Sequence, residues 1–170
     1  VKSIKSSSTM MMGGMEIKVS EKKMGNKSKA TQSVMGQESV TVFDGEKGYA
    51  MQGGQKMDLP AAATDKMKDA KLFNALSMKA ADFTSVTKGA VDGKEAFILE
   101  GKDGKSYFDM SSGLLVKSTS AQGDMTITEY MTVDGIKVPK AMKISAMGQN
   151  IDMTVTEFVL NKDVSDADFK

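Results

Sequence analysis

Apolar and polar residues alternate along much of this chain with a period of two, the mark of half-buried strands. Met15-Glu16-Ile17-Lys18-Val19-Ser20-Glu21 shows it clearly, and Val1-Lys2-Ser3-Ile4 already begins that way. The first third reads as long strands: a more polar one over 27–35, then 39–43, 49–51 and 56–59, with turns at 44–48 and at Gly53-Gly54. The alternation returns in strands near 94–101, 105–110, 114–121, 125–133, 137–147 and 151–160. One face of these carries Met125, Ile127 and Met131, then Met142 and Ile144, then Ile151, Met153, Val155 and Val159. The other faces carry threonine, lysine and aspartate. One apolar and one wet face per strand describes an antiparallel sheet covered on one side only.

Glycine turns separate the later strands at Asp92-Gly93, Asp103-Gly104, Ser112-Gly113, Gly123-Asp124, Asp134-Gly135 and Gly148-Gln149. Their steps of roughly ten to thirteen residues are the rhythm of a meander. Asp-Gly suits tight hairpins, whose turn residues need positive φ. A meander this long curls into a barrel, a half-barrel or a sandwich, folds that often hold an apolar ligand.

Pro60 ends the strand pattern. Residues 61–81 contain neither glycine nor proline, and Ala63, Met67, Ala70, Phe73 and Leu76 recur at helical spacing as one apolar stripe. A helical insert between two runs of strands predicts an α+β fold, in one domain over 1–170, with the stripe packed on the sheet's concave face.

Composition narrows the chemistry. The chain has no cysteine, so no disulfide, thiolate metal site or cysteine nucleophile is available. It has no histidine, which removes the usual general base near neutral pH and the commonest metal ligand. All 23 basic residues are lysine, balanced by 22 acids to a net charge of +1. No basic stripe with arginine forks and interleaved aromatics exists, so a nucleic-acid partner is not expected. No run reaches the length of a transmembrane helix. With no leader at Val1, a targeting segment is expected upstream of this chain. Sixteen methionines take interior positions usually held by leucine and isoleucine. They suit either an irregular core or a deformable binding cavity.

Motifs of catalysis fail on context. Gly104-Lys105-Ser106 resembles the end of a phosphate loop, but Leu99 stands where its partner glycine should be. Ser20–Lys23 and Ser85–Lys88 match Ser-x-x-Lys only within strand-like sequence, where those side chains point to opposite faces. Asp163, Asp166 and Asp168 lack the spacing of a calcium loop and read as solvated turn carboxylates. No catalytic residue, cofactor or metal site is expected.

Tyr107-Phe108-Asp109-Met110-Ser111-Ser112-Gly113-Leu114-Leu115-Val116-Lys117 is the strongest local pattern. Tyr130-Met131-Thr132-Val133-Asp134-Gly135-Ile136-Lys137-Val138-Pro139 is a second one. Together they resemble the LolA-like outer-membrane lipoprotein-sorting family, most closely the version at the C-terminus of insulinase-type zinc peptidases of Bacteroidetes-like bacteria. Phe43–Tyr49 and the closing Val164–Phe169 add weaker likeness, so that it spans about residues 39–170. The resemblance implies an incomplete antiparallel barrel, or half-barrel, with helices over its concave apolar side. It implies non-covalent binding of lipid or acylated protein in the periplasm or cell envelope. A zinc-peptidase partner would lie in an upstream domain, since its His-x-x-Glu-His helix needs histidine. One departure stands out: the arginine that holds the LolA helical lid has no counterpart here.

The ligand-contacting residues expected from the helix are Met67, Phe73 and Leu76. From the sheet they are Phe97, Leu99, Met125, Ile127, Met142, Ile144, Met153 and Val155. The alternative is a structural or interaction domain in which the same residues fill an ordinary core.

Overall fold

The computed structural model describes residues 1–73 and 78–170. The alternation builds thirteen strands, and all of them join one antiparallel sheet. The first meander comprises β1 (Ser3–Met12), β2 (Met15–Met24), β3 (Lys27–Val34), β4 (Gln37–Phe43), β5 (Gly48–Gln52) and β6 (Gln55–Asp58). The second comprises β7 (Phe83–Val91), β8 (Lys94–Gly101), β9 (Gly104–Asp109), β10 (Leu115–Ser120), β11 (Gly123–Val133), β12 (Ile136–Ala146) and β13 (Gln149–Leu160). Pairing of β1 with β13 joins the meanders, so the sheet runs from β6 through β1 and β13 to β7. It does not close: β6 and β7 are its two edges.

The hairpins obey the turn chemistry read from the sequence. At Asp134-Gly135 both turn residues have positive φ, 48° and 81°, the mirror-image turn whose twist matches a right-twisted ribbon. Most of β1 went unread from the sequence, and β7 was read only as strand-like sequence at Ser85–Lys88. Their apolar residues are too thinly spread among serine, threonine and lysine to give a clear strand signal.

The expected helix over 61–81 is much shorter in the structure. α1 (Ala61–Lys68) has no side-chain cap at Pro60 and stops at Asp69. A helix this short is marginal unless it packs well, and on α1 only Thr64 is buried. Ala70 and Phe73 therefore lie beyond the helix, and a 3-10 turn over Ala80–Asp82 leads into β7. Leu76 lies outside the described residues.

Little side-chain volume is fully buried. The buried apolar residues are Ile4, Val42, Phe43, Ala96, Ile127, Val138, Leu160 and Phe169. A folded monomer of this mass exposes roughly 8,100 Å², whereas this chain exposes 10965 Å². The excess is what a broad sheet leaves when no second layer is packed along it.

The cross-strand register sorts residues into two faces. Ile4, Leu160 and Phe43 share one face. Gly48 lies opposite Phe43 on that face, and a Cβ there would sit 2.7 Å from Leu59 Cδ1 and 3.4 Å from Phe43 Cδ2. Leu59 thus roofs Phe43, and its N–H donates to the Gly48 carbonyl at 2.8 Å. The opposite face carries Lys22, Lys27 and Tyr49. There the closing 3-10 turn (Asp166–Phe169) docks with Phe169 buried. Asp168 pairs with Lys22 and Asp166 with Lys27; Asp166 stays exposed, as expected of a solvated turn carboxylate, whereas the Asp168 side chain is only 19% exposed and anchors the turn. The Lys22 ammonium, helped by the Ser165 N–H, holds the Asp168 carboxyl below its usual range.

Candidate functional site

Register decides which face each expected ligand residue joins. Leu99 lies opposite Ser106, Ser106 opposite Ser118, and Ser118 opposite Met125. Met125 in turn faces Ile144, and Ile144 faces Ile151. A second row runs beside it. Phe97 lies opposite Phe108, and beyond the bulge in β10 the row continues through Ile127, Met142, Met153, Met10 and Ile17. Val155 falls on the same face, opposite Ser8. All eight expected sheet residues therefore share one face, which also carries Ile4, Phe43 and Leu59.

These rows cross most of the strands between β8 and β2. At about 4.8 Å per strand, such a band is tens of ångströms long. Its residues are only half covered: apart from buried Ile127 they are partly exposed, and Phe97 is 37% exposed. The neighbours on the opposite face, Lys143, Asp152 and Thr154, are polar and exposed. Sequence reading missed Met10, Met12, Ile17 and Phe108. The period-two rule would have found Ile17, but Met10-Met11-Met12 hides its alternation in a run of one residue type.

Of the expected helix residues, Met67 is half-buried in the last turn of α1. Phe73 is half-buried beyond it. The chain between β6 and β7 starts and ends on the apolar face. Leu59 covers Gly48 at one edge, and at the other a Cβ on Gly101 would meet the Asp82 carbonyl at 2.6 Å.

The motif residues prove to be architectural. Asp109 Oδ1 accepts from the Ser111 and Ser112 hydroxyls, each at 2.7 Å, and from the Ser112 N–H at 2.8 Å. The Ser111 hydroxyl above all, with that of Ser112, depresses the Asp109 carboxyl to about 2. A carboxyl depressed on folding stabilises the fold above its unfolded value near 3.8, and that contribution is lost as pH falls towards 2. The Ser111 and Ser112 amide resonances should therefore titrate together with a midpoint near 2. A midpoint near 4 would contradict this account of the turn.

Tyr130 ties the two motifs together: its hydroxyl donates to the Leu115 carbonyl at 2.6 Å, beside the β10 bulge. Partial burial raises the Tyr130 phenol. Tyr130→Phe leaves that carbonyl unpaired and should cost about 1–2 kcal/mol in urea unfolding.

Among the described residues no group of three or more acidic side chains gathers as a metal site, and no helix is long and apolar enough to cross a membrane.

Solved structures share this architecture along nearly the whole chain. A DUF1329 family protein from Desulfovibrio piger superposes with a TM-score of 0.65 at 12% identity, covering 99% of this chain and 90% of that one. A domain assigned to outer membrane lipoprotein sorting, from Vibrio parahaemolyticus, gives 0.64 at 9% identity, with 99% and 89% covered. A LolA superfamily protein from Nitrosomonas europaea gives 0.58 at 11% identity, with 99% and 89% covered. No protein-family model and no curated protein sequence matches. The chain thus has a LolA-like fold: an open antiparallel sheet of half-barrel type with one short helix. At such low identity the likeness speaks to fold alone.

Proposed function

We propose that this chain binds the acyl chain of a lipid or lipoprotein on its apolar face, without catalysis, in the bacterial cell envelope. The observation that carries the reading is the pair of apolar rows crossing the sheet, over which the described residues pack no second layer. Water-exposed apolar surface of this extent marks a binding site. An acyl chain laid along it would contribute about 0.8 kcal/mol for each methylene it buries. The described parts of the connection between β6 and β7, residues 59–73 and 78–82, form the cover, with Met67 and Phe73 against the ligand. Leu59 and the Asp82 backbone hold its two ends, where LolA uses an arginine. One structural neighbour is a domain assigned to lipoprotein sorting, which fits an acylated protein or free lipid as cargo.

The competing reading, an accessory domain beside an upstream zinc peptidase, calls for a filled core. The unpacked rows favour a ligand instead. Native mass spectrometry of delipidated protein mixed with a long-chain fatty acid tests the choice. One-to-one adducts are expected. Neither adducts nor displacement of a fluorescent fatty acid would overturn the proposal.

A further inference from the structure

The apolar rows are interrupted at one place. Ser106 and Ser118 stand directly opposite each other, between Leu99 on one side and Met125 on the other. The next positions towards the strand ends carry almost no side chain: Gly101 lies opposite Gly104, Gly104 opposite Ser120, and Ser120 opposite Gly123. This leaves a shelf beside the two serines. The chain arriving at β7 passes over it, with the Asp82 carbonyl above Gly101. Between shelf and roof lies a cleft of about 310 Å³, lined by Met78, Asp82, Phe83, Gly101, Ser106 and Ser118 among others.

Three of the polar side chains lining the cleft have partners. The Ser120 hydroxyl donates to the Gly123 carbonyl and accepts from the Gln122 N–H. The Asp82 carboxylate accepts from the Lys79 N–H, and Lys105 pairs with Glu100 on the opposite face. Among the described residues no hydrogen bond engages the hydroxyls of Ser106 and Ser118. Lys102 and Asp103 stand together at the cleft rim. Two free donors in an apolar row, beneath a roof, are costly to cover unless a ligand oxygen meets them. The cleft is at the small end for a ligand pocket, enough for a head group while the chain lies along the rows.

Resting on the reading above, we propose that this bay receives the acyl oxygens of the ligand. They belong to the carboxylate of a fatty acid or the ester of a glycerolipid, and Ser106 and Ser118 donate to them. The ligand then lies in one orientation, its head at the β8–β11 end and its tail running towards β13 and β1.

Competition against a fluorescent acyl probe tests this on the whole chain, with a fatty acid, a monoacylglycerol and an alkane of matched length. At least one oxygen-bearing competitor should bind about tenfold more tightly than the alkane, the worth of two such hydrogen bonds. Whichever of the two is tighter identifies the source of the oxygens. The Ser106→Ala/Ser118→Ala double variant should lose this preference, binding the alkane as tightly as the oxygen-bearing competitors. Equal affinities in the unmodified protein, or a preference that survives in the double variant, overturn the proposal. If the alkane binds and oxygen adds nothing, only the bay is wrong. If no competitor and no probe binds, the acyl-binding reading falls with it.

Discussion

Phe43→Ala should destabilise the chain by about 3–5 kcal/mol, the range for emptying a large aromatic from a core that cannot collapse. Phe43 is 0% exposed, the most completely buried large side chain in the structure. Its partners leave little freedom to close the gap. Gly48 offers no side chain, and Leu59 already roofs the site while its backbone is tied to Gly48. Because so few residues are fully buried, this one change would take a large share of a typical domain's stability. The effect also spreads, since Leu59 is where the chain leaves β6 for α1. Urea unfolding followed by circular dichroism gives the number. A cost below about 1 kcal/mol would mean that Phe43 and Leu59 do not form the anchor described here.

Met153→Lys should weaken acyl binding at least about tenfold while leaving the fold intact. Met153 sits mid-row between Met142 and Met10 and is half-buried, so a lysine there puts its charge where the alkyl tail must lie. Desolvating that ammonium against hydrocarbon is unfavourable, and its stem reaches water only by displacing the tail. The adjacent residue provides the control. Thr154 is exposed on the opposite face, beside Ala141 and Thr9. Thr154→Lys adds the same charge one residue away and should leave affinity unchanged. Titration of both variants with a fluorescent fatty acid separates a face-specific effect from a general change in charge. Equal losses in the two would refute the assignment of faces.

The sheet was legible because period-two alternation and Asp-Gly turns are local signals. Asp92-Gly93 and Asp134-Gly135 became the hairpin turns they announce. The common face of Phe97, Leu99, Met125, Ile127, Met142, Ile144, Met153 and Val155 followed from the same periodicity once strand pairing set the register. The helix is shorter than the apolar stripe predicts because propensity and a stripe do not hold a helix without packing to support them. α1 finds burial only at Thr64 and stops early. The closure of the sheet's centre by β1 and β13 was not legible at all: residues some 150 positions apart, such as Lys5 and Glu157, pair there at 3.1 Å. Asp109 and Tyr130 carried the family likeness, and both hold turns and bulges in place. What the likeness conveyed was therefore architecture, and the ligand reading rests on the uncovered rows between those turns.

Methionine placement offers the most direct measurement of the central claim. Met10, Met12, Met125, Met142 and Met153 lie on the apolar face, Met11 and Met51 on the other, and Met35 and Met147 in exposed hairpin turns. Their ε-methyl groups give separate signals when labelled with carbon-13. On adding a long-chain fatty acid to delipidated protein, the methyls of Met10, Met12, Met125, Met142 and Met153 should shift or exchange together, saturating at one ligand per chain. The methyls of Met11, Met51, Met35 and Met147 should stay where they were. Shifts spread evenly over both faces, or none on the apolar face, would contradict the account.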